Sequence, residues 1–208
     1  MSTIRLTVLA SGNGSNFKAI LDAIESDELD AEILLLVTNT ANCGAAQKAI
    51  KAHIPVCTCS LKSSGGRTRQ FEIMSKAITE SKSDLLVLAG FNLILPTQIV
   101  TQFENKIINI HPSLLPSFSG GMSPQPQKAA LEGGVKVSGC TVHLVTEELD
   151  AGPIIAQRAV AVHHCDTVDS LANRILKEEH IVLPQVIKWF SEGRVCISDG
   201  RVSIRNTE

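Results

Sequence analysis

The chain has 208 residues, enough for one good hydrophobic core, and its 44% hydrophobic and 19% charged content is that of an ordinary globular protein. Its net charge of −2, the absence of any Lys/Arg-rich run, and its lack of Tyr beside a single Trp argue against a nucleic-acid partner, which needs a basic footprint and stacking rings. No charged segment followed by a long apolar one opens the chain, and no apolar run nears the roughly 20 residues a spanning helix needs, so no membrane partner is expected.

Residues 4–10 read as a first strand, Ser11-Gly-Asn-Gly-Ser-Asn16 as a turn, and Phe17, Ile20, Leu21 and Ile24 recur at helical spacing. Strand, glycine-rich loop and helix in this order present backbone N–H groups at a helix N-terminus, where the dipole favours an anion. A dinucleotide fingerprint needs a third glycine where Phe17 stands, and the next strand, residues 33–37, ends in Thr38-Asn-Thr40 without an acid for a ribose. No Gly-Lys-Ser/Thr follows, which excludes a P-loop. A single phosphate monoester fits best, with a plain tight turn as the alternative.

Ala45, Ala46, Ala49 and Ile50 suggest a second helix, residues 54–57 a third strand, and residues 60–66 a Ser/Gly-rich loop of the kind that is often mobile. Phe71, Met74 and Ile78 mark another helix; Arg67 and Arg69 at its start could grip a carboxylate or simply stay solvated. Asp84-Leu-Leu-Val-Leu-Ala-Gly90 is a continuous apolar run, hence a strand buried on both faces, and residues 91–95 continue it. Pro96 opens a short helix to about Gln102. Apolar strands alternating with helices imply a parallel sheet.

The stretch Lys106-Ile-Ile-Asn-Ile-His-Pro-Ser-Leu-Leu-Pro116 carries the suggestion of chemistry. Side chains alternate along a strand, so Asn109 and His111 share a face while Ile108 and Ile110 pack on the other. Pro112 keeps His111 extended. An amide that can stabilise a developing oxyanion thus stands beside an imidazole that can move protons, as attack on a carbonyl-type carbon requires. A capping asparagine and a hydrogen-bonded surface histidine read the same from spacing alone.

Residues 117–127, rich in Ser, Gly and Pro, should be irregular and residues 128–132 a short helix. Residues 135–145 form a strand with a kink near Gly139, in which Thr141, His143 and Val145 share a face; His143 reads as a satisfied structural histidine or a partner of the reacting groups. In the acidic loop Glu147-Glu-Leu-Asp-Ala-Gly-Pro153, Asp150 stands out because Ala-Gly-Pro pins the backbone after it, and a carboxylate held near an imidazole orients the ring. Residues 154–162 form the next strand. A long helix then starts near residues 166–169, runs through Leu171, Ile175, Ile181 and Val182, and should kink or break at Pro184. Residues 195–204 form a hairpin around Asp199-Gly200. His163, His164 and Cys165 are sequential in a loop, poor geometry for chelation, and the six cysteines show neither a C-x-x-C pair nor zinc-type spacing. Reduced thiols in the cytoplasm and no metal are expected.

Together these segments resemble the phosphoribosylglycinamide formyltransferases of purine synthesis, the small folate-dependent type. The likeness runs from Ser11-Gly-Asn-Gly-Ser-Asn16 to Trp189-Phe190; its most specific parts are Asn109-Ile-His-Pro-Ser-Leu-Leu-Pro116, Gly139-Cys-Thr-Val-His143 and Leu149-Asp-Ala-Gly-Pro153. The resemblance implies an α/β fold: one formyltransferase domain over residues 1–208, with a Rossmann-like, mainly parallel sheet flanked by helices. Within it, a nucleotide-binding lobe would take about residues 1–104 and a folate-binding, catalytic lobe about 105–208. It implies a monomer or homodimer that moves the formyl group of the co-substrate 10-formyltetrahydrofolate to the amine of glycinamide ribonucleotide, without a metal. Asn109, His111 and Asp150 would be catalytic. Gly14, Ser15 and Asn16 would hold the substrate phosphate and Glu179 the glycinamide end. Arg67, or Arg69 in its place, would meet the folate tail. Asn92, Leu93, Ile94 and Leu95, with Thr146, Glu147, Glu148, Leu149, Asp150 and Asn109, would contact folate, largely through backbone.

The chain departs from the family pattern in two places. The family usually has a short F-x-G-x-x-A-x-x-Q-A-L link after the catalytic strand; residues 118–131 are longer and lack its Gln, and Leu93 stands where a basic residue is common. A sugar-amine or methionyl-tRNA formyltransferase, a formyltetrahydrofolate hydrolase and a non-catalytic folate or nucleotide sensor are the alternatives.

Overall fold

The structure is a computed structural model that describes residues 3–206. They fall into two compact units, Met1–Ile108 and Asn109–Glu208. The first holds β1 (Ile4–Leu9), α1 (Ser15–Glu25), β2 (Ala31–Thr38), α2 (Gly44–Lys51), β3 (Val56–Thr58), α3 (Leu61–Ser64), α4 (Arg67–Ser81), β4 (Leu85–Leu88), α5 (Thr97–Gln102) and the start of β5 (Ile107–His111). Its strand order is β3-β2-β1-β4-β5. Strand β1 runs parallel to β2 and β4, and β2 parallel to β3, as strands joined by helical crossovers must. Leu6, Val8, Leu36, Val37, Leu86 and Val87 are wholly buried, which is why these strands read as unbroken apolar runs. Phe17 and Ile20 of α1, with Met74 and Ile78 of α4, are equally buried. Each such side chain contributes about 1.5–3 kcal/mol by leaving water.

The C-terminal ends of β1, β2 and β4 lie in register, Leu9 opposite both Val37 and Leu88. The loops that follow are tied to one another: the Ala10 N–H donates to the Val37 carbonyl and the Ser11 N–H to the Gly90 carbonyl, both at 3.0 Å. Residues 91–95 do not extend β4, contrary to the sequence reading. Gly90 swings the chain away at φ +77°, at the point where the partner strand β1 turns into its glycine-rich loop. Residues 60–66 are likewise not a plain loop. They hold helix α3, capped by the Ser60 hydroxyl, which accepts from the Ser63 N–H at 3.1 Å.

The second unit takes the rest of β5, then α6 (Gln125–Glu132), β6 (Val137–Leu144), β7 (Ile154–Ala161), α7 (Val168–Ser191) and the hairpin of β8 (Val195–Ser198) and β9 (Arg201–Ile204). The strand order is β5-β6-β7, with β6 and β7 antiparallel. Helix α6 starts three residues earlier than the pattern suggested, since Pro126 sits in its first turn, where a missing N–H costs nothing. Helix α7 is not broken at Pro184: it runs through it as one element. The ring forfeits a hydrogen bond and costs about 3 kcal/mol. Burial of Leu183, Val186 and Ile187 on either side holds the helix together and offsets that cost.

Thr167 starts α7 with a reciprocal cap: its hydroxyl accepts from the Ser170 N–H at 3.1 Å, and the Ser170 hydroxyl accepts from the Thr167 N–H at 2.9 Å. Thr167→Ala removes the first of these bonds and should lower the unfolding free energy by about 1 kcal/mol in a urea titration. An unchanged midpoint would show that the cap does not contribute.

Candidate functional site

Strand β5 sets the site in the second unit. Ile108 and Ile110 are buried on one face; Asn109 and His111 stand on the other, as their spacing required. The carboxylate of Asp150 comes to the same place, with Oδ2 at 3.4 Å from His111 Nδ1. The two side chains are only 4% and 8% exposed, so they meet with little water around them. The separation is longer than the 2.7–2.9 Å of a well-formed charge-assisted bond, and such contacts tighten when a substrate arrives. The second ring nitrogen of His111, Nε2, lies 3.0 Å from the Phe118 carbonyl oxygen. Both nitrogens therefore face acceptors. A doubly protonated ring satisfies both, and a neutral ring satisfies one.

His143, read from sequence as structural or as a partner, is the residue that orients Asn109. Its Nδ1 lies 2.8 Å from the Leu144 carbonyl oxygen, which can only accept, so the proton sits on Nδ1. Burial pushes the ring below its ordinary value of 6.5, favouring the neutral form. Nε2 then carries a lone pair. It accepts an N–H from the Asn109 amide at 3.1 Å, a closer approach than the 3.7 Å to Asp150 Oδ1. The Asn109 side chain is thereby fixed with its nitrogen toward His143, and its second N–H remains to donate to a substrate oxygen.

The position of Asp150 is set by backbone. Its own φ is +53°, a conformation Asp tolerates better than most residues. Two residues on, Gly152 lies so close to β6 that an added Cβ would sit 1.9 Å from the Leu144 oxygen. The Leu144 N–H donates to the Pro153 carbonyl at 2.9 Å, closing the turn. The Asp150 carboxylate also accepts the Gly120 N–H at 2.8 Å. Residues 117–120 thus give the site a carbonyl and an N–H, neither of which a side-chain pattern could announce. Thr141 steadies this segment: its hydroxyl donates to the Ser113 carbonyl at 2.7 Å and accepts the Leu115 N–H at 3.0 Å.

Of the residues expected to bind folate in this unit, Thr146, Glu147, Glu148 and Leu149 form the exposed turn before Asp150, braced by the Thr146 hydroxyl on the Glu148 carbonyl at 3.2 Å. Glu179 is buried on α7. Burial, followed by the charge of Glu179, pushes the Cys140 thiol of β6 up to about 12.

In the first unit, Gly14 is the N-cap of α1 at φ +71°, and Ser15 and Asn16 form its first turn. The N–H groups of such a turn have no acceptor within the helix. Asn92 follows the turn at Gly90; its N–H donates to the Ser11 hydroxyl at 3.0 Å and its side-chain oxygen accepts from Asn39 at 2.6 Å. Leu93 is half-buried, Ile94 exposed and Leu95 buried. Arg67 lies over the Phe71 ring and donates to the Gln70 side chain at 3.2 Å, whereas Arg69 pairs with Glu72 at 2.8 Å. Among the described residues, no group of three or more His, Cys, Asp and Glu could hold a metal ion. Nor is any helix among them long and apolar enough to cross a membrane.

A family model described as formyl transferase matches residues 4–187. The chain is 40% identical over 196 residues to the trifunctional purine biosynthetic protein adenosine-3 of Gallus gallus; the match covers 94% of this chain and 19% of the relative, so the chain spans about a fifth of that protein's length. It is 35% identical over 192 residues to the phosphoribosylglycinamide formyltransferase of Escherichia coli (strain K12), covering 92% of this chain and 89% of that one. Among solved structures, glycinamide ribonucleotide transformylase 1 from Symbiobacterium toebii matches with a TM-score of 0.92 at 39% identity, covering 98% of this chain and 95% of that one.

The buried neutral ring of His143 makes stability depend on pH. An unfolded ring takes up a proton from about pH 6.5 downward, while the folded ring, its affinity for the proton lowered, does not until the pH is lower still. The unfolded state then binds more protons, so stability is at its full value above about pH 6.5 and falls as the pH drops toward the folded value. Urea titrations from pH 8 to pH 5 should show this fall, and His143→Gln should flatten it. Identical pH dependence in both proteins would mean that the ring is not held neutral.

Proposed function

The chain belongs to the formyl transferase family, and from that premise we propose that it is a phosphoribosylglycinamide formyltransferase. It moves the formyl group of 10-formyltetrahydrofolate to the amine of N1-(5-phosphoribosyl)glycinamide, in the synthesis of purines. The observation that carries this reading is the meeting of Asn109, His111 and Asp150 within the second unit, with the Asn109 amide aimed by His143.

The substrate amine attacks the formyl carbon, forming a carbon–nitrogen bond and placing negative charge on the formyl oxygen. The N–H of Asn109 not given to His143 stabilises that oxyanion; one such donor typically accounts for about 10²–10³ in rate. As the tetrahedral intermediate collapses, the bond to the folate nitrogen breaks, that nitrogen gains a proton and the attacking amine loses one. His111 carries the proton between them, and Asp150 holds the ring in place for the exchange. An amine nucleophile, an oxyanion donor and a proton carrier complete the chemistry without calling for a metal.

The binding roles follow from the likeness to the family. Gly14, Ser15 and Asn16, at the positive end of α1, hold the substrate phosphate. Glu179 takes the glycinamide end. The backbone of Asn92, Leu93, Ile94 and Leu95, and of residues 146–150, contacts the folate, and Arg67 meets its tail carboxylate. The six free cysteines suit work in a reducing compartment such as the cytoplasm.

Purified protein given 10-formyltetrahydrofolate and glycinamide ribonucleotide should form the formylated ribonucleotide. His111→Ala should lower kcat by about 10²–10⁴. Formyl transfer that survives this change undiminished would remove the mechanism, and formate released without any acceptor amine would reassign the activity to hydrolysis. Gly152→Ala, which must push the turn off Leu144 and carry Asp150 with it, should lower kcat by about tenfold to a hundredfold in a protein that still folds. Full activity in that variant would show that Asp150 need not be held where it lies.

A further inference from the structure

Helix α2 approaches the 12–14 loop at successive points along its first turns. The Ala45 N–H donates to the Gly12 carbonyl at 3.1 Å. A Cβ at Gly44 would lie 2.6 Å from the Asn13 carbonyl oxygen, and one at Gly14 would lie 2.6 Å from the Ala45 Cα, so helix and loop pack backbone to backbone. One turn further along α2, the Lys48 ammonium donates to the Asn13 carbonyl at 2.7 Å. Two consecutive carbonyls of the loop thus point at donors on α2, and the second of these donors is charged.

A loop that binds an anion must aim its N–H groups at the ligand and turn its carbonyls away, because each carbonyl oxygen carries partial negative charge. We propose that Lys48 is a positioning residue for this loop: its ammonium draws the Asn13 carbonyl toward α2, keeps that dipole from facing the phosphate, and adds a positive charge behind the N-terminus of α1. The inference rests on the reading of Gly14, Ser15 and Asn16 as the phosphate site. The hydrogen bond of Lys48 goes to a loop carbonyl, so its removal should weaken phosphate binding and leave the transfer step alone.

The test is steady-state kinetics with inorganic phosphate as a competing ion. Lys48→Met should raise the KM for glycinamide ribonucleotide and the inhibition constant for phosphate together, by roughly three- to tenfold. The KM for 10-formyltetrahydrofolate and kcat should stay within about twofold of the parent. Lys48→Arg, which keeps the charge and a donor, should recover most of the loss. Lys51→Met, which removes a lysine from the last turn of the same helix, controls for net charge and should change neither constant. If phosphate competes with the ribonucleotide in the parent protein and Lys48→Met does so with the same constant, the inference is overturned and the phosphate site stands. A fall in kcat with KM unmoved overturns it as well. If phosphate does not compete in the parent protein, and altering Ser15 changes no constant, the loop reading fails and takes this role for Lys48 with it.

Discussion

A single lone pair governs the chemistry available to the second unit. With its Nδ1 proton committed to the Leu144 carbonyl, His143 has only an acceptor left, and the hydrogen-bond donor that meets it is the nitrogen of the Asn109 amide. An amide that turned over would set its oxygen against that lone pair and present an acceptor where a donor is needed. The orientation of the residue proposed to hold the oxyanion is thus fixed by a ring that need not touch the substrate. Burial keeps that ring neutral, and a charged ring would reverse its hydrogen-bonding role. The end of β6 accordingly sets the tautomer of His143 through a main-chain carbonyl and keeps the ring neutral through burial.

Much of this was legible in the sequence where one local rule decides the outcome. Two-residue periodicity placed Asn109 and His111 on one face of β5, and Ala-Gly-Pro marked Asp150 as the held carboxylate of an acidic turn. Apolar runs revealed the strands of the first unit, and the glycine pattern its loop. The sequence reading failed where a tertiary partner decides. Residues 91–95 look like strand, but Gly90 turns the chain out of the sheet just before them. Pro184 looks like a stop, yet packing on both sides carries α7 through it. Phe118 and Gly120 could not be found from side chains at all, because they reach His111 and Asp150 through main-chain atoms.

That last point bears on the segment after β5, where the sequence reading expects a departure from the family pattern. A carbonyl and an N–H are supplied by any residue that can adopt the backbone conformation. The chain can therefore lengthen residues 118–131 and change their side chains while the atoms facing His111 and Asp150 stay in place. The tight constraint lies instead at Gly152, where even a methyl group would collide with Leu144. Freedom of sequence in one loop and strict demand in the other follow from which atoms each brings to the site.

The partners in this set are far apart along the chain: Asn109 and His143 are separated by 34 positions, and Gly120 and Asp150 by 30. Closing such loops costs entropy that is recovered only when the non-local contacts form. The set therefore exists only where β5 and β6 are paired and the turn after β6 is closed. An opening of the second unit that separates β5 from the turn after β6 takes the whole set apart at once.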